Sequence, residues 1–235
     1  MLKSLLRRIG NRSPVEIGHL AIKNVRHAIA ALGPEARAAR AADLAFDRRW
    51  GTDTSGGLST RELGYGDDLA ERCRRYDPSS EAMLRAPVSA LGLDPAEHAF
   101  IDYGAGKGRV LMMAMEMGFR HVVGIELSEH LCEIAKSNIA TFVAQHPGMD
   151  QAEIVAGDAT AYRPSGRSIV AYFYNPFDAS IMAEVRTRLE EALGVGAEAV
   201  TVIYANPEHD AVFRDAPRWA AGPLLPGIST FRLTT

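Results

Sequence analysis

The run Phe100-Ile101-Asp102-Tyr103-Gly104-Ala105-Gly106-Lys107-Gly108-Arg109 joins an apolar stretch, an acid and three glycines at alternate positions. Glycine has no Cβ, so this stretch can turn sharply and let a ligand approach the backbone. A helix that opens here offers unpaired N–H groups at its start. The acid then selects among ligands. A carboxylate at Asp102 repels a pyrophosphate and suits an ammonium group, and the spacing departs from the G-x-G-x-x-G dinucleotide fingerprint. Eighteen residues past Gly108, the run Val122-Val123-Gly124-Ile125 ends in Glu126. A carboxylate there can accept hydrogen bonds from both hydroxyls of a ribose. The alternative for Glu126 is a helix-capping acid ahead of Ser128.

A second candidate follows the apolar run Ile169–Tyr174, which ends in Asn175-Pro176-Phe177-Asp178. Open parallel sheets bind ligands beyond the carboxyl ends of their strands. The Asn175 side-chain oxygen and the neighbouring backbone carbonyl can accept hydrogen bonds from an N–H group, which turns the nitrogen lone pair toward an electrophile. The same tetrapeptide also suits a plain strand-to-helix turn with Asp178 as N-cap.

Upstream, Phe46-Asp47-Arg48-Arg49-Trp50-Gly51-Thr52-Asp53-Thr54 and Tyr76-Asp77-Pro78-Ser79 are rich in groups suited to ligands. Trp50 and Tyr76 offer aromatic walls, while Asp53, Asp67 and Asp68 offer negative charge to a cationic ligand. An irregular packing segment is the other reading of these residues. The cysteines, Cys73 and Cys132, show no metal-ligand spacing, and no metal is expected. No histidine falls in a recognisable motif; His130 belongs to a helix face.

These groups need a scaffold, and the pattern supplies one. Strands are expected at 100–103, 121–126, 153–156, 169–174 and 199–205, with helical stretches at 108–118, 129–145 and 179–194 between them. Short apolar strands alternating with helices imply a parallel sheet covered on both faces. Trp219–Leu225 and Thr230–Thr234 are joined by Pro226-Gly227-Ile228-Ser229, too short for a helix, so they should pair as an antiparallel hairpin. Seven strands result. Ahead of them, apolar residues recur at helical spacing over 14–46, broken at Gly33-Pro34, and a helix is expected from Pro34 to Arg48. Gly51–Gly66 reads as a loop, Asp67–Cys73 as a short helix, and 76–80 as a turn capping a helix that runs to Leu91.

The chain has 235 residues, 47% hydrophobic and 23% charged, which suits one α/β domain with additional structure. Residues 1–50 carry ten Lys/Arg against four Asp/Glu, and the remainder sixteen against twenty-five. A basic arm of this kind either steers toward an acidic partner or forms a solvated helical face. The apolar run in Met1–Arg12 is too short for a signal-peptide core, and no window approaches the roughly 18 apolar residues of a membrane span. A cytoplasmic, reduced protein is the expectation.

Asp102-x-Gly104-x-Gly106-x-Gly108 resembles the first motif of the class I S-adenosylmethionine-dependent methyltransferases, and Glu126 resembles their ribose-binding acid. Gly157-Asp158-Ala159 is similar to the motif whose Asp and next backbone N–H read the adenine edge. The resemblance covers about residues 76–235. It implies a Rossmann-like seven-stranded methyltransferase domain over 76–235, its last two strands a hairpin, behind a helical N-terminal extension and lid-like loop over 1–75. It implies S-adenosyl-L-methionine as cofactor, held by Tyr76, Ser79, Asp102, Gly104, Gly106 and Gly108, then by Glu126, Leu127, Asp158, Ala159 and Asn175.

Within that group, Asn175-Pro176-Phe177 departs from the Asn-Pro-Pro-Tyr turn of enzymes that methylate adenine or glutamine amide. It is nearer the Asn-Asn-Phe turn of the non-SET lysine methyltransferases and their prokaryotic relatives. The departure argues against nucleic-acid bases and leaves an amine, of a small molecule or a protein lysine, as acceptor with Asn175 as the catalytic residue. A hydroxyl acceptor is the alternative. A nicotinamide-dependent oxidoreductase is opposed by the glycine spacing and Asp102. A non-catalytic cofactor-binding module is opposed by the presence of both Asp102 and Glu126.

Overall fold

Ala99–Tyr103 (β1) is buried at every position, the signature of a central strand covered on both faces. The computed structural model describes residues 33–60, 62–63 and 73–234. Around β1 lie His121–Glu126 (β2), Glu153–Ala156 (β3), Ser168–Tyr174 (β4), Ala199–Ala205 (β5), Ala220–Ala221 (β6) and Ile228–Thr234 (β7). They form one sheet in the order β3-β2-β1-β4-β5-β7-β6. The first five strands pair in parallel, and β7 runs antiparallel to both β5 and β6. This is the seven-stranded sheet, parallel with a terminal hairpin, that the alternating pattern implied.

The helices are Pro34–Trp50 (α1), Ala82–Ala90 (α2), Arg109–Glu116 (α3), Glu129–Ala144 (α4), Ala179–Gly194 (α5) and Ala211–Arg214 (α6). Alternation along the strands builds two cores. On one face Ile101, Tyr103 and Phe173 pack with Ile181, Met182 and Leu189 of α5 and with Phe213 and Trp219. On the other, Phe100, Val170 and Tyr172 pack with Leu84 of α2, Leu111 and Met112 of α3 and Phe142 of α4.

Two helix starts are capped as their residue types dictate. Ser128 Oγ accepts from Leu131 N–H at α4, and Asp178 Oδ1 accepts from Ser180 and Ile181 N–H at α5. Asp178 is therefore the N-cap.

Several boundaries differ from the expectation. β6 shrinks from an expected seven residues to two, because Gly222 and Pro223 follow at once and proline has no N–H for a ladder. β7 begins two residues early, drawn out by pairing of Ile228 and Ser229 with Ala205 and Tyr204. The chain divides into two units, Met1–Leu44 and Ala45–Thr235. Phe46, Asp47 and Trp50 are buried within the second unit. The expected helices over 14–32 and at 67–72, Asp67, Asp68 and the arm 1–12 lie outside the described residues.

Candidate functional site

Strand register sets the floor of the site. Asp102 stands opposite Gly124 on one side and Tyr172 on the other, at the carboxyl edge of the sheet. The chain then turns through Gly104, Gly106 and Gly108, all with left-handed φ. Two of these glycines are required by close neighbours. A Cβ on Gly104 would lie 2.8 Å from Cβ of Pro176, and one on Gly106 would strike the ring of Tyr76. Gly108 serves differently: it begins α3, and its Cα faces Ala135 of α4.

The loop's amides are spent internally. Gly104 and Ala105 N–H both donate to the Ile125 carbonyl, Gly108 N–H to that of Ala105, and Gly106 N–H to Glu126 Oε2 at 2.9 Å. A phosphate cradle needs such amides turned outward. Here they lock the loop onto β2.

Three acids face the space above. Asp102 is 2% exposed, and no described residue donates a hydrogen bond to it. Burial, reinforced by the nearby charge of Glu126, holds its carboxyl well above the usual range. Glu126 accepts from Gly106 N–H through one oxygen and from Ser128 N–H through the other, at 2.8 Å. Asp158 Oδ1 accepts from the N–H and hydroxyl of Thr160.

One pocket gathers most of the residues expected from sequence. Tyr76, Ser79, Asp102, Gly104, Gly106, Glu126, Leu127, Asp158 and Ala159 all line it. Its other side is made by Leu63, Cys73, Arg74, Arg75, Phe177, Ile181 and Glu184. Gly108 and Asn175 are not in the lining. Asn175 is buried in a left-handed conformation with φ 42°, and its Oδ1 accepts the Tyr204 hydroxyl at 3.0 Å. The Pro176 carbonyl accepts from Arg74 N–H at 3.1 Å, beside a bridge between Cys73 and Phe177. The two acceptors that the turn was expected to offer thus already hold protein donors.

The upstream element also takes a different place. Trp50 packs against Phe142 and His146, with ring centroids 5.0 and 5.1 Å away, and Asp53 accepts from Lys107 Nζ at 3.0 Å. Neither lines the pocket; Tyr76 does. Sequence reasoning missed Asp47, Thr54, Lys107, Arg109 and Asn138, which bond this element to the glycine loop. The available signal was the two cations flanking Gly108, since Lys and Arg in an apolar helix start must find partners when buried. Cys132 is structural: burial and nearby acids push its thiol up to about 11.

Residues 79–157 match the family model Histone methylation protein DOT1, about one third of the chain. That stretch runs from Ser79 through the glycine loop and Glu126, on a sheet of the order described above. Over those residues the chain is similar to that family, and its sheet order is the one expected of a class I S-adenosylmethionine-dependent methyltransferase. No curated protein matches the sequence. Among solved structures it is similar to an RNA methyltransferase from Salinibacter ruber in complex with S-adenosyl-L-homocysteine, at 21% identity, covering 67% of this chain and 92% of that one, with a TM-score of 0.47. It is also similar to the magnesium protoporphyrin IX methyltransferase of Synechocystis with bound S-adenosylmethionine, at 12% identity over 63% of this chain and 74% of that one, with a TM-score of 0.46. S-adenosylmethionine, the cofactor that the resemblance implies, has no phosphate, and the internal use of the loop amides accords with it. Among the described residues no helix is long and apolar enough to cross a membrane.

Proposed function

We propose that this chain is a methyltransferase that transfers a methyl group to the nitrogen of an amine, and that the pocket above β1 and β2 holds both cofactor and acceptor. The observation that carries this reading is the charge of the lining. Five acids (Asp77, Asp102, Glu126, Asp158 and Glu184), of which Asp102 stays protonated until a cation binds, stand against two guanidiniums, Arg74 and Arg75. Both guanidiniums are paired, Arg74 with Glu208 at 2.7 Å and Arg75 with Asp77 at 2.9 Å. The balance favours cations, and a sulfonium cofactor with an ammonium acceptor supplies two.

The residues fit the cofactor. Asp102, buried without a protein donor, suits its ammonium group. Glu126, at the end of β2 and in the pocket lining, is assigned to the ribose hydroxyls. Leu127, Asp158 and Ala159 are assigned to the adenine, and Tyr76 and Ser79 to the opposite wall. When bound, the cofactor supplies an electrophilic methyl group.

On the acceptor side, Glu184 is exposed, makes no ion pair with a described residue, and is assigned to attract the incoming ammonium. Leu63, Cys73, Phe177 and Ile181 then surround the amine with apolar groups. Desolvation disfavours its charged form, so it can shed a proton without a dedicated base. Positioning and exclusion of water do the rest. Asn175 acts in this scheme by shaping the turn that aims Pro176 and Phe177 and not by touching the acceptor. The buried thiols of Cys73 and Cys132 agree with a reducing, cytoplasmic setting.

The test is cofactor turnover with a panel of small amines, lysine-rich peptides, phenols and carboxylates. An amine should be the active class. Because the Asn175 oxygen and the Pro176 carbonyl hold protein donors, a hydroxyl acceptor is the specific rival, and turnover with phenols alone would replace the nitrogen reading.

A further inference from the structure

The residues missed from sequence form one network at the back of the pocket. Asp47, at the end of α1, accepts four hydrogen bonds. Oδ1 takes the Thr52 hydroxyl at 3.0 Å, Thr54 N–H at 2.8 Å and the Thr54 hydroxyl at 2.6 Å, and Oδ2 takes Ser55 N–H at 2.7 Å. The Thr54 oxygen in turn accepts from Arg109 Nε at 2.8 Å. Arg109 is 4% exposed, lies over the Phe46 ring, and donates through Nη1 to the Ser79 carbonyl at 3.4 Å.

On the other side of Gly108, Lys107 donates to Asp53 Oδ1 and to the Ser55 carbonyl, both at 3.0 Å. The Asn138 carboxamide closes the ring. It donates to the carbonyls of Asp53 and Lys107 and accepts from Asp53 N–H.

Besides the Arg109 bond to Ser79, the network reaches the pocket wall through Tyr76. The Thr54 carbonyl accepts the Tyr76 hydroxyl at 2.7 Å, and the Tyr76 ring lies on Gly106 in the pocket wall. We propose that Asp47 and Thr54 are positioning residues for cofactor binding, holding the Tyr76 ring against Gly106 through the Thr54 carbonyl and fixing Ser79 through Arg109. The proposal rests on the reading that the cofactor occupies this pocket. Its physical basis is preorganisation. A wall residue already held in its bound place costs less ordering when the ligand arrives. Asp47 touches no ligand; it acts at two removes, through Thr54 and then Tyr76.

Calorimetric titration of the full chain with S-adenosylhomocysteine tests it. Tyr76→Phe keeps the ring and removes only the hydroxyl donor, and should weaken affinity roughly tenfold. Asp47→Asn and Thr54→Val should each weaken it by a similar factor, while Thr54→Ser, which keeps the hydroxyl, should restore it. The double variant Asp47→Asn/Tyr76→Phe should lose less than the product of the two single losses, because both act on the bond between Tyr76 and Thr54. Melting of the ligand-free proteins separates these effects from lost stability; should Asp47→Asn not fold, Tyr76→Phe and the Thr54 pair carry the test. Wild-type binding with Tyr76→Phe unchanged, or with effects that multiply in the double variant, overturns the proposal. A wild-type chain that does not bind the nucleoside at all fails the cofactor-pocket reading itself, and this proposal with it.

Discussion

The hydroxyl of Tyr204 donates to Oδ1 of Asn175 across 3.0 Å, joining the ends of two neighbouring parallel strands inside the core. Burial raises the Tyr204 pKa, so the hydroxyl stays protonated at neutral pH and acts as donor. The bond holds the Asn175 amide in one orientation and stabilises a left-handed backbone at a residue with a Cβ. Pro176 is thereby set against Gly104, which makes the turn part of the wall of the glycine loop.

Removing that bond should cost stability before it costs cofactor affinity. Asn175→Ala takes the acceptor from a buried hydroxyl and forces alanine into a left-handed conformation, for a loss of about 1–3 kcal/mol. Denaturant melts should show this loss, with S-adenosylhomocysteine affinity changed by less than about threefold. Tyr204→Phe should lose less, since it deletes the donor and leaves one Asn175 acceptor lone pair unfilled. Equal affinity losses in both variants would instead mean that Asn175 touches the cofactor.

Asp102 carries a signed pH dependence. Its folded pKa is raised by burial and by Glu126, so the ligand-free protein favours the protonated form. Below the ordinary carboxyl value both folded and unfolded chains are protonated. As pH rises past that value the unfolded chain ionises first, and stability falls until the pH passes the raised folded value. Asp102→Asn should therefore melt higher than wild type at neutral pH without ligand. It should also bind S-adenosylhomocysteine about tenfold or more weakly, having lost a charged partner for the ammonium group. Wild-type affinity should rise with pH, and titrations in two buffers of different ionisation enthalpy should reveal proton release on binding. A variant that binds as well as wild type would remove Asp102 from the site.

Glu126 has two duties, and one substitution can separate them. Glu126→Ala strips acceptors from Gly106 and Ser128 N–H and, when ligand is present, from the ribose. Affinity should fall by roughly 2–4 kcal/mol, on the order of 30- to 1000-fold. Glu126→Gln keeps an acceptor for one amide and should retain more stability than affinity. A melting shift in Glu126→Ala without a change in binding would reduce this acid to loop support.

Glu184 tests the acceptor. If it draws an ammonium group to the rim, Glu184→Gln should raise KM for the active amine roughly two- to fivefold, as expected for an exposed ion pair. Turnover at saturation and S-adenosylhomocysteine affinity should stay unchanged. The increase should shrink as salt is added. A KM that ignores both substitution and salt would place the ammonium elsewhere.

The sheet and its ligand edge were legible because each signal is local. The runs at 99–103, 121–126 and 168–174 are mostly apolar, as strands covered on both faces must be, and the glycine loop and Glu126 stand at strand ends. A few consecutive residues decide such features, so they survive any error about the rest of the chain. The contacts of Trp50, Asp53 and Asn175 were not legible. Each chemical type suits a ligand, and nothing nearby in sequence reveals that Phe142, Lys107 and Tyr204 will occupy them first. The same holds for Asp47 and Thr54, whose importance appears only when Arg109 and Tyr76 are brought across the fold. Pairings of this kind follow from how helices and strands pack, and side-chain chemistry alone leaves many partners open. The amino-acid sequence determined where a cofactor can sit; the tertiary structure decided which polar groups remain to meet it, because a buried donor or acceptor is bonded wherever packing brings a partner within reach.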